Sequence, residues 1–215
     1  MKKPFSSLLL IFSFGAGLFA APLERDLSRG LIYHRAPNVP ADLPATNPAE
    51  KRSRVLDLRY AQGNDDGATA LIAWLRTNAT TRTPVFLLAN AETNPALLAP
   101  FARQNAVEGV LTVGPSSARF NPDIAVKVSP EIERRAYDAI EAQTEIESLL
   151  KENSDKLRND EARLAKERQP DPALLDDAGT PGEKNPVAKP PAPLIDLTLQ
   201  RAMQLHRGLQ ALKKI

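Results

Sequence analysis

The feature that most constrains the fold is a series of short apolar runs alternating with helically spaced segments between residues 54 and 128. RVLDLRY (54–60) reads as a strand, and in ATALIAWLRTNA (68–79) Ala68, Leu71, Ile72 and Leu75 fall at helical spacing. PVFLLAN (84–90) is a continuous apolar strand, and NPALLAPFARQ (94–104) a short helix with Pro95 in its first turn. GVLTVG (109–114) and IAVKV (124–128) read as further strands. Strand, helix, strand, helix, strand predicts an α/β layer of short, largely parallel strands with flanking helices. GLIYHR (30–35) supplies one more strand, and the four prolines of APNVPADLPATNP (36–48) predict an extended or polyproline crossing after it.

Downstream, Ser129 and Pro130 form an N-cap and first helical residue, with Ile132, Ala136 and Ile140 on one face. Thr144 and Glu147 match a capping box that restarts a helix through Ile146, Leu149 and Leu150. ENSDKLRNDEARLAKERQ (152–169) is charged nearly all round and reads as a charged helical arm. Residues 169–193 hold seven prolines and two glycines and read as a linker. Asp196 then caps a C-terminal helix with Leu199, Ala202, Leu205, Leu209 and Leu212 in a stripe, expected to dock on the α/β layer. The expected division is 1–20, 21–53 (strand and Pro-rich loop), 54–151 (α/β domain), 152–169 (arm), 170–193 (linker) and 194–215 (C-terminal helix).

The opening MKKPFSSLLLIFSFGAGLFAAP places Lys2 and Lys3 ahead of an apolar run too short to span a bilayer, followed by small residues. This order is that of a secretory signal peptide cut after Ala20, which predicts a periplasmic or secreted protein with no stable membrane span after cleavage. Removing it leaves 26 basic residues (28 less Lys2 and Lys3) against 26 acidic ones, so no net field gathers nucleic acid. With no cysteine, a disulfide framework is excluded and stability must come from the core.

The polar corner after the third predicted strand, Asn90 to Pro95, stands where many hydrolases place a nucleophile at a helix N-terminus. Asp57-Leu58-Arg59, the glycine-bearing loop YAQGNDDG (60–67), the strand ending at Asn90, Val113-Gly114, PDIAVKVSPE (122–131) and IDLTLQRAMQL (195–205) follow in an order that resembles the C-terminal processing, or tail-specific, serine proteases. The resemblance covers roughly residues 54–142 and, more weakly, 194–212. It implies a ClpP/crotonase-type fold and a Ser-Lys dyad, in which a lysine of depressed pKa activates the serine. The position matching the serine is Pro95, flanked by Asn94 and Ala96. PSSARFNP (115–122), where the lysine would fall, holds none, and the next lysine is Lys127, expected on an exposed strand position. Gly63 or Gly67 would shape the oxyanion turn, and Asp57 and Arg59 would be scaffold residues forming a strand-end charge pair. Residues 21–53 are too few for a peptide-selecting domain.

The resemblance therefore implies a pseudoprotease: an exported, non-catalytic binding or scaffold protein with an envelope protein or peptide as partner. The alternative is a serine hydrolase using Ser116 or Ser117, for which only the lone His34 and His206 offer a base. Asp65 and Asp66 lack the spacing of a calcium loop and are expected to cap the helix near Ala68. Asn78-Ala79-Thr80 fits a glycosylation pattern without weight in a bacterial export protein. No phosphate cradle or zinc-ligand cluster is present, so no cofactor or metal is expected. Intact-mass measurement of the native protein should show a chain beginning at Ala21, and retention of Met1 would overturn the export assignment.

Overall fold

The structure, a computed structural model, describes residues 22–46, 52–102, 107–142, 146–150 and 194–215. The charged arm and the linker, the expected cleavage site and the Thr144 cap lie outside the described residues. Six strands form one sheet in chain order: β1 (Leu23–Asp26), β2 (Leu31–Arg35), β3 (Ser53–Asp57), β4 (Val85–Leu88), β5 (Val110–Gly114) and β6 (Ile124–Ala125). β1 runs antiparallel to β2, and every other neighbouring pair is parallel. The expected α/β layer is therefore present.

Chain order dictates where the helices go. Each parallel crossover steps the same way across the sheet, so right-handed connections all fall on one face. α1 (Asp65–Asn78) and α2 (Pro95–Leu98), which continues as a 3₁₀ turn (Ala99–Phe101), cover that face. There Leu56, Val85, Leu87 and Val110 meet Leu71, Trp74, Leu75, Leu97 and Phe101. The opposite face is left for the chain that follows the sheet: α3 (Pro130–Glu141), α4 (Ile146–Leu150) and α5 (Leu197–Ala211). Tyr33, Val55, Phe86, Leu88 and Val113 pack there against Ile140, Ile146, Leu149, Leu199, Ala202 and Met203. Alternate residues of β4 thus serve two cores, which is why PVFLLAN reads as unbroken apolar sequence.

Several expectations change in detail. β1 was not anticipated, because LERD carries three charged residues; as an edge strand it leaves them exposed. The proline-rich stretch turns back on itself instead of crossing in extended form, with Asp42 Oδ2 accepting from the Asn38 backbone and side chain and Trp74 Nε1 donating to the Pro44 carbonyl. Asn64, not Asp65 or Asp66, caps α1 by accepting from Gly67 N at 2.9 Å, and the two aspartates occupy the first turn. The helix expected over 94–104 narrows to α2 and its 3₁₀ turn, where Pro100 cannot continue the hydrogen-bond ladder. β6 stops at Ala125 instead of Val128, and exposed Lys127 lies beyond it on the way to the Ser129 cap. Thr112 and Asp123 clamp this short strand, Asp123 Oδ2 accepting from Thr112 N at 2.9 Å and Oγ1 at 2.7 Å.

α5 docks on the sheet as expected, but Leu212 does not belong to the docked stripe: the helix ends at Ala211 and Leu212 is 70% exposed. Met203 and His206 are buried instead.

Two glycines should respond oppositely to a methyl group. A Cβ on Gly114 would land on the Ala89 carbonyl oxygen, whereas one on Gly208, inside α5, meets nothing within 4 Å. Gly114→Ala should cost about 1–3 kcal/mol by overpacking, and Gly208→Ala should add about 0.5–1 kcal/mol by helix propensity. Urea midpoints of the two variants check both signs.

Candidate functional site

Of the polar residues that sequence reading singled out, Asp57, Arg59, Asn90, Asn94 and Asp196 lie at the carboxyl end of the parallel strands, where open α/β sheets commonly hold ligands. β3 delivers Asp57 to the face shared with Tyr33 and Val55, and the chain turns immediately afterwards. Arg59 is fully buried and reaches both sides of that turn. Its Nε and Nη2 donate to Asp57 at 3.0 and 2.6 Å, and its Nη1 and Nη2 donate to the Asp196 carboxylate at 3.0 and 2.9 Å. Asp57 also accepts from Tyr33 Oη at 2.8 Å and from the Arg59 backbone N–H at 3.0 Å. Asp196 is simultaneously the N-cap of α5, accepting from Leu199 N at 2.9 Å. The expected strand-end charge pair is thus a buried triad joining β3 to a helix 137 residues away.

The electrostatics follow from burial. Desolvation opposes the charge on Arg59, but the fields of Asp196 and Asp57 outweigh it and hold the guanidinium's pKa well above the ordinary arginine value. Burial, reinforced by Asp57, likewise pushes the Tyr33 phenol well up. Beside the triad Glu133 of α3 is 4% exposed. It accepts from Asn90 Nδ2 at 3.2 Å and from Thr198 Oγ1 at 3.3 Å, joining the corner after β4, α3 and α5. Burial raises its carboxyl pKa, while Arg59 and the Asn90 hydrogen bond pull it back. Tyr60, in the left-handed region at φ 62°, caps this layer. Its ring lies 4.9 Å from Tyr137 with the Arg134 guanidinium 4.6 Å above it, and burial followed by Glu133 pushes its phenol up to about 12.

The corner itself is self-satisfied. Asn90 Oδ1 accepts from Glu92 N and Thr93 N, both at 3.1 Å, while Thr93 Oγ1 accepts from Asn90 N and donates to the Leu58 carbonyl at 2.9 Å. Asn94 caps the short α2 by accepting from Ala96 N at 3.0 Å, and exposed Pro95 takes the first-turn position. The Asn94 N–H donates to the Ala61 carbonyl at 2.9 Å, tying the corner to the loop after β3. Gly63 faces the side chain of Leu97: a Cβ there would lie 2.7 Å from the leucine Cδ2. Gly67 instead backs onto the Val39 carbonyl inside α1.

Ser116 is exposed, and Ser117 Oγ accepts from Arg119 N and Phe120 N in a turn that its own backbone N–H closes on the Phe120 carbonyl. His34 stands on β2, three strand positions from β5 and so roughly 14 Å across the sheet. His206 packs edge-on against Phe86 near the start of β4, at the other end of the strands from Ser117, with its pKa lowered by burial and Arg207. The structure brings neither histidine to the serines. Asn78 is buried and bonded to Arg54, Thr46 and the Trp74 carbonyl. Among the described residues no group of three or more His, Asp or Glu side chains is arranged to hold a metal ion. The sequence matches no protein-family model, and a search of curated proteins finds no significant match.

Sequence reading missed Tyr33, Glu133 and the ionic role of Asp196. Glu133 did leave a signal, since it shares a helical face with Ala136, Tyr137 and Ile140, all buried. An acid on such a stripe must find partners. Nothing local marked Asp196 as more than a cap.

A carboxyl pKa raised by folding means that the folded chain holds more protons than the unfolded one above the ordinary value of 4.5. Stability contributed by Glu133 therefore falls as pH rises through that window and stays lower above it. Glutamine keeps the bond from Asn90 and can donate to the Thr198 hydroxyl. Glu133→Gln should raise the urea midpoint at about pH 7, and the gain should shrink toward zero at about pH 4. A lower midpoint at neutral pH would contradict this account.

Proposed function

We propose that the chain is an exported, non-catalytic binding or scaffold protein of the cell envelope, built on a ClpP/crotonase-type layer like that of the tail-specific proteases but without their Ser-Lys dyad. The observation that carries this reading is the filled corner. Acyl transfer requires a nucleophile and oxyanion donors converging on one carbonyl carbon, with room for it about 3 Å from both. On this reading the nucleophile's position falls to Pro95; the loops after β3 and β4 are joined through the Asn94 N–H, and Leu97 occupies the space beside Gly63. Asp57 and Arg59 keep a scaffold role because their charges are spent on Asp196 and on each other. A partner, an envelope protein or peptide, docks elsewhere on the surface.

Restoring the hydroxyl alone does not restore the chemistry, since a serine without a base is a poor nucleophile at neutral pH. Pro95→Ser should show no cleavage of unstructured peptides and no labelling by a fluorophosphonate. It should lose about 0.5–1 kcal/mol of stability, because the unfolded chain regains freedom that proline removes. Robust turnover by the unaltered protein, abolished by Ser116→Ala or Ser117→Ala, would overturn the reading in favour of a serine hydrolase.

A further inference from the structure

The far end of α5 collects positive charge. Residues 194–215 carry one acid, Asp196, and it is buried on Arg59 at the carboxyl end of the strands. The solvent face of the helix presents Arg201, Gln204, Arg207, Gly208 and Ala211, and Lys213 and Lys214 follow it, all exposed. Gln210 Nε2 donates to the Arg29 carbonyl at 2.8 Å, which sets the exposed Arg29 of the β1–β2 turn beside this end. The two lysines alone would complement a helix dipole; the three arginines exceed that need. Among the described residues none of these five cations meets a carboxylate. The acids of the adjoining hairpin are engaged elsewhere, Asp26 by Arg52 at 3.1 Å and Glu24 at 3.6 Å from His34.

Set among these cations is an apolar side chain held outward. Leu212 is 70% exposed, the most exposed large apolar residue among those described. The backbone there is closed: the N–H groups of Leu212, Lys213 and Lys214 donate to the carbonyls of Gly208, Gln210 and Leu209 at 2.9 to 3.0 Å, with Lys213 in the left-handed region at φ 53°. A hydrogen-bonded cap of this kind fixes the direction in which Leu212 leaves the helix. A nucleic acid or an acidic protein would match the cations and leave the leucine in water. An anionic bilayer takes both, the basic groups at its phosphates and the leucine at its acyl boundary.

We propose that the C-terminal end of α5, together with Arg29, is a docking surface for an anionic phospholipid bilayer. The apolar face of α5 is committed to the sheet, so the contact is peripheral: charge supplies the attraction and Leu212 the insertion. Arg59 and Asp196 stand at the opposite end of the same helix, so docking points the filled corner away from the lipid. The proposal goes beyond the scaffold reading and depends on neither the resemblance nor the export assignment.

Vesicle co-sedimentation tests this on the chain from Ala21 onward, which keeps every described element and omits the apolar opening run that would enter lipid by itself. The chain should bind phosphatidylcholine vesicles containing about one-third phosphatidylglycerol and leave pure phosphatidylcholine alone. Binding should fade between about 0.1 and 1 M salt, as the screening length shortens from about 10 to about 3 Å. Arg207→Gln with Lys214→Gln should weaken it about 25-fold, roughly 5-fold for each cation removed. Removing equal charge from exposed positions at the other end of the strands, Arg119→Gln with Lys127→Gln, should leave it unchanged. Leu212→Ser should weaken vesicle binding roughly 10-fold and leave retention on heparin as it was. Absence of binding to the anionic vesicles, equal losses from the two pairs of charge variants, no loss with Leu212→Ser, or tighter binding to a single-stranded oligonucleotide than to vesicles would each overturn the proposal.

Discussion

Arg59 is held between Asp57 and Asp196 with all three side chains out of solvent, and the architecture converges on that contact. An unpaired guanidinium in such a place is untenable; removing one partner of a buried ion pair typically costs about 3–5 kcal/mol. The triad therefore does more than add stability. It decides which helix covers the second face of the sheet and at which residue that helix starts, because Asp196 is both ion partner and cap. Glu133 extends the same junction to α3 and to the corner after β4. Hydrophobic contact brings these elements together, and the ionic geometry selects one arrangement among the many that apolar packing would tolerate.

The same edge of the sheet is where related architectures keep open space for chemistry. Here its polar groups face one another. Asn90, Thr93 and Asn94 close their own turn and stitch it to Leu58 and Ala61, and Leu97 fills the volume beside Gly63. In this corner the backbone N–H groups of Glu92, Thr93, Asn94 and Ala96 already have acceptors.

The layer was legible in the sequence because period and punctuation agreed: apolar runs for buried strands, Asp196 and Ser129 as helix starts, Pro130 in a first turn. What escaped had physical reasons. β1 is an edge strand whose LERD sequence is shaped by solvent, so its pairing with β2 leaves no apolar trace. β6 was read too long because IAVKV alternates correctly, while the backbone departs after Val126 N–H meets the Gly114 carbonyl. Asp57 and Arg59 were seen as a pair, yet the third member lies 137 residues beyond Arg59, and separation of that kind leaves no local periodicity. Leu212 was read onto the stripe by extrapolating a helix past its last turn.

The strict chain order of the sheet has a consequence for how the molecule comes into being. Strands that are neighbours in space are neighbours in sequence, so each can pair soon after it emerges from the ribosome, N-terminal elements first. The face carrying Phe86, Leu88 and Val113, however, receives α5 only from residues 194–215, far downstream of the strands. Until then, among the described elements, only α3 and α4 cover it, through Ile140, Ile146 and Leu149. A chain lacking Asp196 and the helix it caps would leave this apolar side without α5 and Arg59 with one of its two carboxylates missing.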